Sequence, residues 1–202
     1  MQEDIKKFIA LNDALGNTGI KNQQIVKRII YDTFVIPTVN FGNIVFFVGC
    51  QNRDIPFSNL GSGGNILDIT ESLLIQRFYL TLLNISQVQN AFAEPLSLNI
   101  FPGLLGWDLS IEIANKKVFK DYPIMQLSSM FNRQTQFANL QTNIGHEYYE
   151  FENPILIPPQ VEFKSVITGT SQISTAPPPP FPMYARLTFE GIGTISNLRK
   201  TF

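Results

Sequence analysis

From Gln24 onward, short runs of β-branched and aromatic residues alternate with Pro, Gly and Asn, and this punctuation is the strongest constraint on the fold. Residues 107–114 show it most clearly. Trp107, Leu109, Ile111 and Ile113 fall on one side of an extended chain, with Asp108, Ser110, Glu112 and Ala114 on the other. Asn115-Lys116 then turns the chain into Val118-Phe119. Further strand-like segments lie at 25–34, 96–101, 147–152, 155–157, 160–169 and 183–195, the last kinked at Gly191. Residues 44–49 are continuously apolar and predict a short strand buried on both faces. Residues 72–84 fit helix or strand, their aromatics favouring strand, and 124–140 read as a short helix or an irregular excursion. With about eight strands and little helix, the expectation is an all-β antiparallel sandwich or barrel.

One segment reads otherwise. In residues 1–15, Ile5, Phe8, Ile9 and Leu15 recur near one face of a helix, and Glu3 and Asp4 sit at its start, where they complement the helix dipole. A helix this short is not stable alone in water. It must dock on its own domain, on a neighbouring subunit or on a membrane surface. The organisation predicted is an N-terminal helical arm over 1–22 and one β-sandwich domain over 23–202.

The chemistry-bearing residues are few. His146 is the only histidine, so a multi-histidine metal site within one chain is excluded, and with it the metal-dependent cupin reading of such a fold. No Gly-x-Ser-x-Gly elbow accompanies His146. The glycine-rich stretch Gly61-Ser62-Gly63-Gly64-Asn65 lacks the Lys-Ser/Thr of a phosphate loop. Glu150 and Glu152 would share one face of a strand, where solvent is the default partner of such a pair. Cys50, the sole cysteine, ends an apolar run and reads as a small buried hydrophobe. The expectation is therefore no enzyme, no catalytic residue, no cofactor, no metal and no small-molecule substrate.

Charged residues make up 15% of the chain, well under the usual quarter or so. The 17 Asn and 13 Gln outnumber the 15 Lys and Arg two to one. An amide-rich, charge-poor surface suits burial against partners, because a charge there would lose its water. The net charge of −1 gives no global attraction for nucleic acid. The 17 Phe exceed the six Tyr and single Trp, which favours packing over sugar recognition. No apolar run approaches the roughly 20 residues of a membrane span, and the acidic start Met1-Gln2-Glu3-Asp4 lacks the marks of a signal peptide. Synthesis in a reducing compartment is expected, since no intrachain disulfide can form.

Taken in order, several segments resemble the jelly-roll coat proteins of tailless icosahedral phages. They are the N-terminal helix before the first strand, then Arg53-Asp54-Ile55-Pro56-Phe57-Ser58-Asn59-Leu60 leading through the Gly loop into Ile66-Leu67-Asp68-Ile69-Thr70-Glu71. Near the end, Ile157-Pro158-Pro159-Gln160-Val161-Glu162-Phe163 enters a strand, and a long loop holding Pro177 to Pro180 leads to Ala185-Arg186-Leu187-Thr188-Phe189-Glu190-Gly191. The resemblance is one of layout and spans roughly residues 25–195. It implies a jelly-roll-like sandwich of about eight strands with a short N-terminal helix. It also implies a virion structural protein, made in the host cytoplasm, that acts by symmetric self-assembly and contacts with other coat proteins. The length is similar to that of a single jelly roll, so shell, minor coat and vertex subunits all fit. Subunit contacts would come from Ile5, Phe8 and Ile9 of the arm, Pro56, Phe57 and Leu60 of one loop, and Pro178, Pro179 and Phe181 of another. The arm is also a candidate for contact with an inner membrane or the genome. The alternative on the same fold is a carbohydrate- or receptor-binding module, such as a virion spike.

Overall fold

A computed structural model describes residues 2–36, 43–50, 53–60, 65–84, 107–127, 148–169 and 183–195. Among these residues, helix α1 (Gln2–Ala14) precedes eight strands. They are β1 (Gln24–Ile36), β2 (Ile44–Phe46), β3 (Leu73–Asn84), β4 (Trp107–Ile113), β5 (Lys116–Pro123), β6 (Tyr148–Ile157), β7 (Phe163–Gly169) and β8 (Met183–Ile195). They form two four-stranded sheets, ordered β1-β8-β3-β6 and β2-β7-β4-β5, with every pairing antiparallel.

The wiring has a simple logic. Strand β1 pairs with β8, β2 with β7, β3 with β6 and β4 with β5. The chain is thus one long hairpin, nested about its midpoint and rolled so that successive pairs fall on alternate sheets. This is a jelly roll. The tip of the hairpin is the turn at Ala114 (φ 50°) and Asn115 (φ 61°), two consecutive positive φ values of the kind that match the twist of the strands they join.

The inner faces meet in a phenylalanine-rich core. Trp107, Leu109, Ile111 and Ile113 are buried as their alternation predicts, and Ser110 is buried with them. The Phe47 ring stacks on Phe189 at 4.8 Å and tilts against Phe163 at 5.4 Å, tying one sheet to the other. At the far end Phe78 packs with Phe119, Tyr122, Tyr149 and Phe151. Residues 72–84 resolve as strand, β3 lying between β8 and β6.

Three expectations need correction. The apolar run 44–49 is strand only as far as Phe46. Phe47 takes φ 67° because its N–H points into the Asp32 carboxylate (2.6 Å), and Val48 turns out to be 42% exposed. Segments 147–152 and 155–157 are not separate: β6 runs through Pro154. Between the pairs Arg77–Glu150 and Ile75–Ile155, β6 inserts four residues against the single Gln76 of β3. An edge strand tolerates this bulge and its proline, since no further strand needs the missing N–H. The irregularity at Gly191 lies in its partner strand: β8 pairs continuously with β1 there, while its register with β3 shifts between Ile75–Gly191 and Arg77–Glu190, Gln76 being the extra residue. In 124–140, Ile124–Leu127 forms a 3-10 turn. The expected strand at 96–101, the remainder of 128–140, His146, Glu147 and the proline tract lie outside the described residues.

The helix docks on the outer face of the β1-β8-β3-β6 sheet. Phe8 is fully buried with Ile20, Leu74 and Ile192, and Ile5, Ile9, Leu11, Ile25 and Leu156 pack around them. Asn12, also buried, donates to the Phe8 carbonyl (2.9 Å). Leu15 is not part of this face: it is 59% exposed, because the helix ends at Ala14 and Gly16 (φ 78°) turns the chain away. Replacing Phe8 with Ala should cost about 3 kcal/mol. The loss should be read as undocking of α1, with rapid proteolysis near residues 15–23 and an unchanged far-ultraviolet β signal.

Candidate functional site

Two features cover the outer face of this sheet. At one end lies α1. At the other lies the loop of residues 53–60, whose position is set by a buried charge. Asp32 is on β1, fully buried, and accepts from the N–H groups of Phe47 and Thr33 and from the Arg53 guanidinium. Arg53 also donates to the carbonyls of Val48 (3.1 Å) and Thr33 (3.4 Å). Burial pushes the Asp32 carboxyl above its ordinary value, against the opposing pull of Phe47 N–H and Arg53.

Cys50 is buried beside this node, and burial pushes its thiol up to about 11. The rise from 9.0 leaves about a hundredfold less thiolate near pH 8. Iodoacetamide should therefore leave the folded chain almost unlabelled at pH 8 and modify it rapidly in denaturant. Mass spectrometry of the two samples makes the comparison.

The far side of the loop is held by Arg186 of β8. Its guanidinium donates to the Pro56 carbonyl (2.6 Å) and to Thr33 Oγ1 (2.9 Å), and lies 4.7 Å over the Tyr31 ring. Burial lowers its pKa. Phe57 packs on Tyr184 (5.8 Å) and Leu83. A shallow cleft of about 360 Å³ remains between loop and strand, lined by Thr33, Phe34, Val35, Arg53, Asp54 and Phe57.

Between helix and loop, no other described element packs on the sheet face. One cross-strand row reads Tyr31, Thr188, Tyr79, Tyr148, and the next reads Ile29, Glu190, Arg77, Glu150. Glu190 is 7% exposed. Burial would raise its carboxyl, but Lys27 (2.5 Å) and the Tyr79 hydroxyl outweigh that and hold it below the usual value. Arg77 lies 4.9 Å over Tyr148 and reaches Glu150 at 3.4 Å. The result is a floor of tyrosine rings, guanidinium groups and paired carboxylates. That mixture suits recognition of another surface, since Tyr and Arg are the residues that most often anchor interfaces.

The predicted contact residues separate on this framework. Pro56 is exposed and Phe57 partly so, both at the loop. Ile5 and Ile9 are partly exposed on α1, whereas Phe8 is spent on the chain's own sheet. Leu60 is 7% exposed and belongs to the core. Pro178, Pro179 and Phe181 lie outside the described residues. Ile29 (49% exposed), Val35 (48%), Ile55 (77%) and Tyr148 (48%) join them at the surface, with no contact signal in the sequence. The alternation of Ile29, Tyr31, Thr33 and Val35 was visible, but alternation does not say which face a second layer covers.

Among the described residues no group of three His, Cys, Asp or Glu side chains could hold a metal ion. Glu150 and Glu152 are exposed, and Glu150 is engaged by Arg77. Among the described residues no helix is long and apolar enough to cross a membrane. No protein-family model and no curated protein matches this chain.

Proposed function

We propose that this chain is a virion structural protein, a capsid shell, minor coat or vertex subunit that works by symmetric self-assembly and contacts with other coat proteins. The observation that carries the reading is the nested eight-strand wiring. Capsid proteins, lectins and cupins share that architecture. The single histidine argues against the metal-dependent cupins, and an amide-rich, charge-poor sequence argues for a surface meant to be covered. Exposed Ile29, Val35, Ile55 and Tyr148 on one sheet and its flanking loop are apolar groups that neighbouring subunits would bury. Production in a host cytoplasm and residence in a virion follow from the same reading. Mass photometry and electron microscopy of the purified protein test it. Rings or shells of closed symmetry support it, and a strict monomer at high concentration, alone and with its co-expressed neighbours, overturns it.

A second reading, a glycan- or receptor-binding module, draws support from the tyrosine row on the outer sheet face. A glycan array probes it. Binding lost on replacing Tyr79 and Tyr148 with Ala would favour this reading over assembly.

A further inference from the structure

Asp32 is fully buried, and the cation that meets it comes from another part of the chain. Arg53, 21 residues further on, starts the 53–60 loop. Its guanidinium donates to Asp32 Oδ1 while its own side chain stays 23% exposed. One end of the ion pair is sealed in the fold, and the other is within reach of water. The further bonds of Arg53 go to neutral groups, the carbonyls of Val48 (3.1 Å) and Thr33 (3.4 Å).

Several stretches of chain face the carboxylate. Its own strand supplies the Thr33 N–H (3.0 Å), and β8 sets Leu187 opposite it. Arg186, next to Leu187, is turned to Thr33 Oγ1 and the Pro56 carbonyl. The stretch after β2 supplies the Phe47 N–H (2.6 Å) and the Cys50 thiol, which hydrogen-bonds to Asp32 and to Ser58. The 53–60 loop supplies Arg53 and the bridge at Ser58. With its pKa pushed up to about 11, Cys50 stays neutral throughout the acid range, so the proton taken up here belongs to Asp32.

Protonation acts unequally on the two ends of this pair. A neutral carboxyl is cheaper to bury than a charged one, so β1 keeps its place. Burial raises the Asp32 carboxyl above 3.8 for the same reason, and the proton binds where a free aspartate is still charged. Arg53 keeps its charge and loses the one that drew it inward. Water then competes with two carbonyls for a partly exposed guanidinium.

The geometry points to a proton-released latch: uptake of one proton by Asp32 frees Arg53 and opens the chain over Cys50 with the fold intact. Only the Arg53 end of the loop opens. The far end keeps Arg186 on the Pro56 carbonyl (2.6 Å), Ser58 on the Tyr31 carbonyl (3.1 Å) and Asn59 on the Ile29 carbonyl (2.8 Å). Cys50 is the natural reporter, since it is fully buried and Arg53 N–H closes a turn on its carbonyl (3.0 Å). The latch goes beyond the assembly reading above and does not depend on it.

The experiment follows modification of Cys50 by 4,4′-dithiodipyridine, which reacts with thiols in acid as well as at neutral pH, from pH 7 to pH 4. Each rate is divided by that of the urea-unfolded chain at the same pH, which removes the response of the reagent itself. The ratio should rise about tenfold toward pH 4 while the far-ultraviolet β signal and Trp107 fluorescence hold steady. In Asp32→Asn, where nothing titrates at this position, the ratio should already be high at pH 7 and stay flat. A flat ratio in the unaltered chain, or a rise that comes only with loss of the β signal, overturns the inference. So does an Asp32→Asn chain as well protected at pH 7 as the unaltered one. If that variant does not fold, carbon-13 NMR of the Asp32 carboxyl in the unaltered chain takes its place. Its midpoint must coincide with that of Cys50 exposure, and separate midpoints rule the latch out. Whether the chain builds particles at either pH is a separate result that bears on the assembly reading alone.

Discussion

Replacing Arg53 with Met should destabilise the chain by about 3 to 5 kcal/mol at neutral pH, the usual cost of leaving a buried charge without its partner. Asp32 is fully buried, and besides Arg53 its carboxylate accepts from the neutral Phe47 and Thr33 N–H groups, which carry no compensating charge. The pH dependence gives the cause away. Burial already raises the Asp32 carboxyl from its ordinary 3.8, and losing Arg53 raises it further. The folded state then binds a proton more tightly than the unfolded state. Stability therefore falls as pH rises through the window from 3.8 to the folded value, and recovers as pH drops. Urea melts at pH 7 and pH 4 should show the deficit of the variant shrinking at the lower pH. Glu190 works in the opposite sense in both proteins. Its lowered pKa lends stability above the unfolded value that is lost in acid, so the comparison must be made variant against wild type at each pH. Adding Asp32→Asn to Arg53→Met should recover part of the loss, because an amide costs less to bury than an unpaired carboxylate. A deficit equal at both pH values would mean that Arg53 matters for packing and not for charge.

The second large effect lies in β8. A Cβ on Gly191 would stand 1.8 Å from the Leu74 carbonyl oxygen and 2.8 Å from its carbon, both backbone atoms of the neighbouring strand. Leu74 is paired with Ile192 of β8 on one side and Leu156 of β6 on the other, so neither atom can yield without disturbing both ladders. Gly191→Ala is expected to cost more than about 4 kcal/mol, in the range reserved for forced backbone clashes, and to appear as insoluble or unfolded protein. The same substitution at Gly19, where a Cβ meets nothing within 4 Å, should stay within about 1 kcal/mol of wild type. Parallel expression and thermal melts of the two variants make the contrast. Ordinary solubility and melting for the Gly191 variant would contradict the close approach of β3 and β8.

The same glycine shows where the residues speak for themselves and where they do not. In the sequence Gly191 reads as a kink, because a glycine inside a strand pattern marks either a bend or a close approach. Choosing between those needs the neighbour, which is 117 positions away at Leu74. Phe47 sits in an apolar run and reads as strand, yet it turns because Asp32, 15 residues earlier, holds its N–H. Phe8 and Leu60 read as contact residues because the helix and the loop that carry them resemble segments of coat proteins. The fold absorbs both into its own packing. Asn59 carried no signal at all. One asparagine among 17 comes to accept from Tyr31 N–H and donate to the Ile29 carbonyl only when β1 lies alongside it.

Alternation and turn chemistry act over two to four residues, so the chain alone determined that it would be an antiparallel β protein with one short helix at its start. They also determined which residues of a strand such as β4 would face inward. The lone His and lone Cys likewise excluded a multi-histidine metal site and an intrachain disulfide by count. Tertiary structure decided which side of each sheet faces the core, where the helix and the 53–60 loop dock, and where the buried charge sits. Those outcomes depend on pairings as remote as Gln24 with Ile195, and a distance of that kind leaves no trace in local periodicity.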